Sequence, residues 1–236
     1  MRVRYARRGR LRFSSHRDFQ RALERAIRRA SIPIAFSAGF SPHPRVSYTN
    51  AAPTGAASEA EYLELGLSKP CAPSELGRAL NEALPDGLDV VDTVIARSSD
   101  FPSRLEASLW RIELPDAEEA RVLAVRDAFW DASSIMVQRR TKSGTREFDA
   151  REPVEKIDVV ETSESSCVIL NVVVRHVTLS VRPDDVLEAF RQVANFEPPV
   201  SPRVTRLAQG PLDPVSGVVG DPLAPDREAE SDDVRP

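Results

Sequence analysis

Cysteine and histidine are scarce in this 236-residue chain, and their scarcity excludes several kinds of site. The two cysteines, Cys71 and Cys167, lie far apart, and no Cys-x-x-Cys spacing is available to begin a zinc or iron–sulfur site. The three histidines form no recognised ligand spacing with each other or with carboxylates. We therefore predict neither a metal centre nor a bound cofactor.

Long apolar runs and catalytic motifs are also missing. No segment approaches the roughly 20 apolar residues that cross a bilayer, and the basic N-terminus continues into a charged helix rather than an apolar signal segment. The chain has no phosphate-binding glycine loop, no nucleophile elbow and no paired-carboxylate signature. These absences predict a cytoplasmic protein without a membrane partner, and they favour a binding protein over an enzyme.

Positive charge is concentrated at the start of the chain, although the formal net charge is −4. Residues 1–45 contain twelve arginines, no lysine and two acidic residues, so this segment carries +10 and the remainder carries −14. Guanidinium groups bind phosphate through paired hydrogen bonds and stack on bases, which indicates an anionic partner. A GC-rich genome, which favours arginine codons over lysine codons, is the alternative explanation.

The clearest single element is a helix predicted from His16 to Ala30. Its apolar residues, from Phe19 onwards, recur at helical spacing and form one stripe, while arginines cover the other faces. A helix N-terminus attracts anions, so Ser14, Ser15 and His16 could cradle a phosphate. In the alternative interpretation, Ser15 only caps the helix and His16 is exposed to solvent.

The order of predicted elements is strand–helix–strand–strand–helix–strand, and it occurs twice. This order predicts an α+β fold of two tandem ferredoxin-like halves with antiparallel sheets, the second of which carries an extra hairpin. The predicted domains are a basic half over residues 1–100, a second half over residues 101–212 and a disordered acidic tail over residues 213–236. The tail has seven acidic residues, two arginines and no aromatic residue. It is interpreted either as a solvated end or as a mask over the arginines.

Two sequence blocks carry a resemblance to a known family, SSHRDFQRALERAIRRA at residues 14–30 and FSAGFSPHPRVS at residues 36–47. Later stretches, among them RRTKSGTREFDARE and PRVTRLAQGPLD, extend the likeness over residues 1–213. The chain resembles the radical-SAM-associated family, an uncharacterised domain that occurs alone or fused behind radical SAM proteins of the cobalamin-binding type. The resemblance implies a radical SAM protein as partner. The chain itself lacks the three closely spaced cysteines of a radical SAM enzyme.

Candidate binding residues come from both halves. His43 lies in a proline-flanked loop, where it could act as a general base at neutral pH or belong to a rigid loop without chemistry. The aromatic rings of Phe36, Phe40 and Tyr48 could stack on bases. We expect Phe36 to belong to the core instead, and Phe40 is equally compatible with either role. The predicted RNA- or anion-binding residues are Ser15, His16, Arg17, Arg21, Arg25, Arg28, His43, Arg45, Arg139, Arg140 and Lys142.

Three functions are compatible with these residues. The leading interpretation is an accessory protein that binds structured RNA, such as tRNA, for a radical SAM modification enzyme. The second is a protein-interaction module that docks on an acidic surface of a radical SAM partner without RNA. The third is a metal-independent endoribonuclease that uses His43. The first two interpretations both require that the arginines of the first helix point outward.

Overall fold

The computed structural model describes residues 1–141, 144–160 and 167–233, with side chains described through residue 229. The chain divides into two compact units. The N-terminal unit comprises Met1–Arg104 and Asp221–Pro236, and the C-terminal unit comprises Leu105–Gly220. Both units are mixed α+β structures whose paired strands run antiparallel, which confirms the predicted fold class.

The N-terminal unit has the predicted strand–helix–strand–strand–helix–strand order. In its sheet, β1 lies between β4 and β3, and β2 pairs with β3. A short 3-10 helix, Gly9–Phe13, precedes the first α-helix. The elements are β1 (Arg2–Arg7), α1 (His16–Arg29), β2 (Val46–Thr49), β3 (Ala57–Leu65), α2 (Pro73–Ala83) and β4 (Leu88–Val94).

The core of the N-terminal unit lies between the sheet and the two helices. Phe19, Leu23 and Ile27 of α1 are buried there, which confirms the apolar stripe predicted from their spacing. Tyr5 of β1 stacks on Phe19 with ring centroids 4.7 Å apart. Because one side of α1 is anchored in this way, the arginines on its other side are directed to solvent.

The opposite face of the same sheet is covered by later segments of the chain. Arg2 of β1 is fully buried on this face, and its guanidinium lies 4.7 Å from the centre of the Phe101 ring. Asp226 belongs to helix α5 (Ala224–Asp233) and accepts two hydrogen bonds from Arg2, at 2.6 and 2.5 Å. Arg104 donates a further hydrogen bond to Asp226 at 2.9 Å. The segment that contains α5 therefore packs against β1, although the two are far apart in the sequence.

The acidic C-terminal segment differs from its expected disorder in the part that the structure describes. Leu212 and Val219 form a bridge around a turn, and α5 follows. The physical reason is the buried guanidinium of Arg2, which needs a carboxylate as partner once it leaves water. Composition does not reveal this requirement because Asp226 lies 224 residues along the chain from Arg2.

The C-terminal unit repeats the architecture of the first. Its sheet has the order β10-β5-β9-β8, and the predicted extra hairpin, β6–β7, follows α3. No helix in the described residues is long and apolar enough to span a membrane. The elements are β5 (Ala107–Pro115), α3 (Glu119–Asp131), β6 (Met136–Thr141), β7 (Gly144–Asp149), β8 (Val154–Val160), β9 (Cys167–Arg175), α4 (Pro183–Ala194) and β10 (Arg203–Gly210).

Candidate nucleic-acid interface

Four arginines of α1 lie on one exposed face of the helix, which we call the arginine face. Successive helical residues are about 100° apart, so the four fall within an arc of about 80° and extend over about 16 Å. All four side chains are exposed, and no carboxylate of the described residues forms an ion pair with any of them. The arginine face consists of Arg17, Arg21, Arg25 and Arg28.

Asp18 and Glu24 border this face by helical position. The charge of the exposed Asp18 acts on Arg17 and Arg21 without forming an ion pair with either, whereas Glu24 is half-buried. Its carboxylate acts on Tyr48: burial first, and then the charge of Glu24, raise the pKa of the Tyr48 hydroxyl to about 12. Tyr48 also contacts Phe19 edge-on, with ring centroids 5.8 Å apart. Tyr48 is therefore a half-buried neighbour of the core rather than an exposed stacking platform.

The arginines of β1 and the turn after it stabilise the fold instead of forming a surface. Arg7 is buried and donates hydrogen bonds of 2.8–3.1 Å to three carbonyl groups in the loop before β3. Arg8 forms ion pairs with Glu59 and Asp89. Together with the buried Arg2, these contacts show that the charge of +10 in residues 1–45 overstates the charge available to a partner.

The N-terminus of α1 is occupied by a side chain of the protein itself. The Ser15 hydroxyl accepts a hydrogen bond from the Asp18 N–H at 3.2 Å and donates to the Asp18 carboxylate at 2.7 Å. The hydrogen bond from Ser15 lowers the pKa of Asp18 below its ordinary value. Ser14 donates to the Leu11 carbonyl, and His16 is exposed. This geometry favours the capping interpretation of Ser15 over the phosphate cradle.

A short hairpin after α1 carries exposed aromatic rings, and we call residues 36–44 the aromatic hairpin. Phe36 and Pro44 form its bridge, and Phe40 lies fully exposed in its loop. The expectation that Phe36 belongs to the core is wrong, because its side chain is 56% exposed. Ile34 pairs with Leu67, two residues past the end of β3, so the chain has passed the end of the sheet when it reaches Phe36.

A cleft of about 440 Å³ opens beside the aromatic hairpin. His43 and Arg45 both line it, so the structure brings these two predicted site residues together. The aliphatic part of the Arg45 side chain packs against Gly66. A Cβ atom added at Gly66 would lie only 2.9 Å from the Arg45 Cβ. Glu64 also lines the cleft but is held by Arg2 at 3.0 Å.

The predicted residues of the second half are not equivalent to one another. Arg139 forms an ion pair of 2.7 Å with the buried Asp185 and lies over the Phe148 ring. It therefore stabilises the contact between the hairpin and α4, and we remove it from the candidate surface. Strand alternation places Arg140 on the other side of β6, where it is exposed. Lys142 lies outside the described residues.

An exposed aromatic residue beside an arginine precedes α1, and it was not among the predicted site residues. Phe13 is 60% exposed, and the Arg12 guanidinium lies 4.6 Å from its ring centre. The adjacent Arg–Phe pair was the available signal. In the described residues, no group of three metal-ligating side chains could hold a metal ion.

The fold and the surface define an α+β protein of two ferredoxin-like units, the first of which presents an arginine face and an aromatic hairpin. A sequence profile for an uncharacterised protein family conserved in bacteria, DUF2344, matches residues 1–183, and the chain belongs to this family. The matched range includes the whole arginine face and ends at the first residue of α4. No curated protein matches the chain.

Proposed function

We propose that this protein binds RNA through the arginine face of α1. The observation that carries the proposal is the clustering of four exposed guanidinium groups on one side of a helix, none of which forms an ion pair with a carboxylate of the described residues. Like charges within about 16 Å repel one another. A polyanion removes this repulsion and gains binding free energy by releasing its own counterions.

The spacing of the arginine face suits a phosphate backbone. Arg17, Arg21 and Arg25 follow one another at intervals of about 6 Å along the helix axis, and Arg28 continues the row. Guanidinium groups bind phosphate in a bidentate manner, and exposed side chains are free to adopt that geometry. Structured RNA is recognised largely through its backbone and shape, so a row of this kind supplies affinity without sequence readout.

In this proposal the protein presents its RNA, with tRNA as the first candidate, to a radical SAM modification enzyme in the cytoplasm. The support is the resemblance of residues 14–30 and 36–47 to the radical-SAM-associated family. These 236 residues lack the cysteine ligands of the iron–sulfur cluster, so the radical chemistry belongs to another domain or protein. The role that remains for this protein is to bind and position the substrate.

A titration with tRNA at several salt concentrations tests the proposal. Four phosphate contacts predict that log K falls against log salt with a slope of about −3 to −4. In the double variant Arg21→Glu/Arg25→Glu, affinity should fall at least about tenfold and the slope should become shallower by about 2. Fluorescence anisotropy with labelled tRNA measures both quantities.

The matched control is Arg78→Glu/Arg203→Glu, which makes the same charge change at arginines whose side chains are 69% and 61% exposed outside α1. This control should bind tRNA nearly as well as the unmodified protein. Binding that is indifferent to salt, or an equal loss in both double variants, contradicts the proposal. Recovery of a radical SAM partner after nuclease treatment, without RNA binding, assigns the arginine face to protein docking instead.

One observation favours a second candidate function, metal-independent RNA cleavage. His43 and Arg45 line the same cleft. There an imidazole would take the proton of a ribose 2′-hydroxyl, whose oxygen attacks the adjacent phosphorus, and the 5′-oxygen would leave and receive a proton while a guanidinium holds the phosphate. Incubation of tRNA with the protein in a chelator, followed by gel analysis, tests this activity. The activity is supported if the unmodified protein cleaves tRNA and His43→Ala abolishes cleavage while tRNA binding persists. It is ruled out if the unmodified protein does not cleave tRNA, or if His43→Ala cleaves as well as the unmodified protein.

A further inference from the structure

Phe40 has the highest fractional exposure of any large apolar side chain in the described residues, since its ring is fully exposed. Phe36, at the base of the same aromatic hairpin, is 56% exposed. Burial of exposed apolar area is favourable, and neighbouring exposed apolar residues mark a binding surface more often than an isolated one does. The aromatic hairpin is therefore the part of the N-terminal unit that most needs a partner.

The aromatic hairpin is fixed at its base by backbone hydrogen bonds. Ala35 donates to the Gly66 carbonyl at 2.7 Å, Gly66 donates to the Arg45 carbonyl at 2.8 Å, and Arg45 donates to the Ala35 carbonyl at 2.8 Å. Inside the loop, Ser37 and His43 exchange two hydrogen bonds, of 2.9 and 3.0 Å. A ring presented from such a closed loop loses little conformational entropy when a ligand covers it.

The chemistry around the hairpin selects the ligand. Arg45 is exposed and lines the cleft beside the hairpin, and the one carboxylate among the residues that line this cleft, Glu64, is already paired with Arg2. A partner that covers Phe40 must therefore offer a flat apolar surface next to negative charge. An unpaired nucleotide has both, because its base has two π faces and its phosphate is anionic.

We infer that Phe40 stacks on an unpaired base of the bound RNA, an inference that rests on the proposed function. The aromatic hairpin then directs the protein to loops, bulges or single-stranded ends, where bases are free to stack on aromatic rings. The arginine face supplies the salt-dependent part of the affinity, and Phe40 supplies the preference for unpaired over paired RNA. The two contributions are separable because Phe40 carries no charge.

Three substitutions at Phe40 test the inference with a single-stranded RNA and a fully paired RNA duplex of the same length. Phe40→Ala and Phe40→Leu should weaken binding of the single strand about 5- to 100-fold, with the salt slope unchanged and duplex binding nearly unaffected. Phe40→Trp should retain the affinity of the unmodified protein, and its fluorescence should be quenched by the single strand. Thermal unfolding of each variant should be unchanged, because the replaced ring is exposed.

Val215→Ala is the control for loss of exposed apolar surface, since Val215 is 94% exposed and lies in the C-terminal unit. It should bind both RNAs as the unmodified protein does. If Phe40→Ala binds the single strand normally, the inference is overturned while the proposed function stands. Normal binding by Phe40→Leu also overturns it, because a merely apolar contact does not need a ring. If the unmodified protein binds neither RNA at low salt, the proposed function fails as well.

Discussion

Arg2 and Arg17 carry the same side chain but lie in opposite environments. Arg2 is fully buried between Glu64 and Asp226, whereas Arg17 is exposed on the arginine face. Their sequence neighbourhoods are both rich in arginine, so local composition could not separate them. The helical spacing of the apolar residues in α1 identified Arg17 as outward-facing. The burial of Arg2 is visible only in the structure, where Asp226 of the C-terminal segment contacts it.

Asp226→Asn should destabilise the folded protein by about 3–5 kcal/mol at neutral pH, because it leaves the buried Arg2 without its closest charged partner. Burial alone would raise the pKa of Asp226, but the hydrogen bonds from the Arg97 N–H and from Arg2 outweigh burial and hold that pKa below its ordinary value. The stability contributed by the carboxylate is therefore present at neutral pH and lost as pH falls through the lowered pKa.

Urea denaturation of both proteins at several pH values measures this difference. The gap in the free energy of unfolding between them should narrow below about pH 4, where the carboxyl of the unfolded state takes up a proton before that of the folded state does. Asp127→Asn is the matched control, since its carboxylate is 62% exposed beside Arg126 and should contribute less than about 1 kcal/mol. A gap that stays constant across the acid range argues against an ionised Asp226 in the folded state.

Helix α1 is the element that the sequence predicted best. Its predicted span, from His16 to Ala30, ends one residue from the observed Arg29, because apolar periodicity and a capping serine are local signals. Helix α5 was missed for the opposite reason. Its sequence is acidic and proline-flanked, and the residue that orders it is a distant arginine. The exposure of Phe36 escaped prediction because an isolated phenylalanine in an apolar segment is typical of a core.

Ser15→Ala should lower the free energy of unfolding by about 1 kcal/mol, the usual effect of removing a helix cap. The same variant should bind tRNA as tightly as the unmodified protein, because the Ser15 hydroxyl is engaged by the N–H and the carboxylate of Asp18 rather than by a ligand. Thermal unfolding and fluorescence anisotropy on the same samples measure the two effects. A loss of affinity comparable to that of Arg21→Glu/Arg25→Glu would restore the phosphate-cradle interpretation.

For the whole molecule, the tandem arrangement followed from element order alone. The order strand–helix–strand–strand–helix–strand appears twice in the structure, and the extra hairpin lies in the second unit, as predicted. Chain order could not show that the segment after Gly220 belongs to the first unit. That assignment depends on contacts between residues more than a hundred positions apart, for which a single sequence carries no local signal.

A chain that ends at Gly220 should therefore lose stability in the N-terminal unit and not in the C-terminal unit. Amide hydrogen exchange should accelerate in β1 and β4, which lose the cover provided by α5, while β5 and β9 keep their protection. A chain that ends at Asp233 retains α5 and serves as the control. Equal acceleration in both units would show that the C-terminal segment stabilises the molecule as a whole.

The pairing of Arg2 with Asp226 has a consequence for the order of events during synthesis. Domains generally fold as they leave the ribosome, while synthesis adds about 5–20 residues per second. Here β1 is made 224 residues before the carboxylate that pairs with its buried Arg2. The C-terminal unit is translated in full before that carboxylate exists, so the half of the protein that is made first is the half that is completed last.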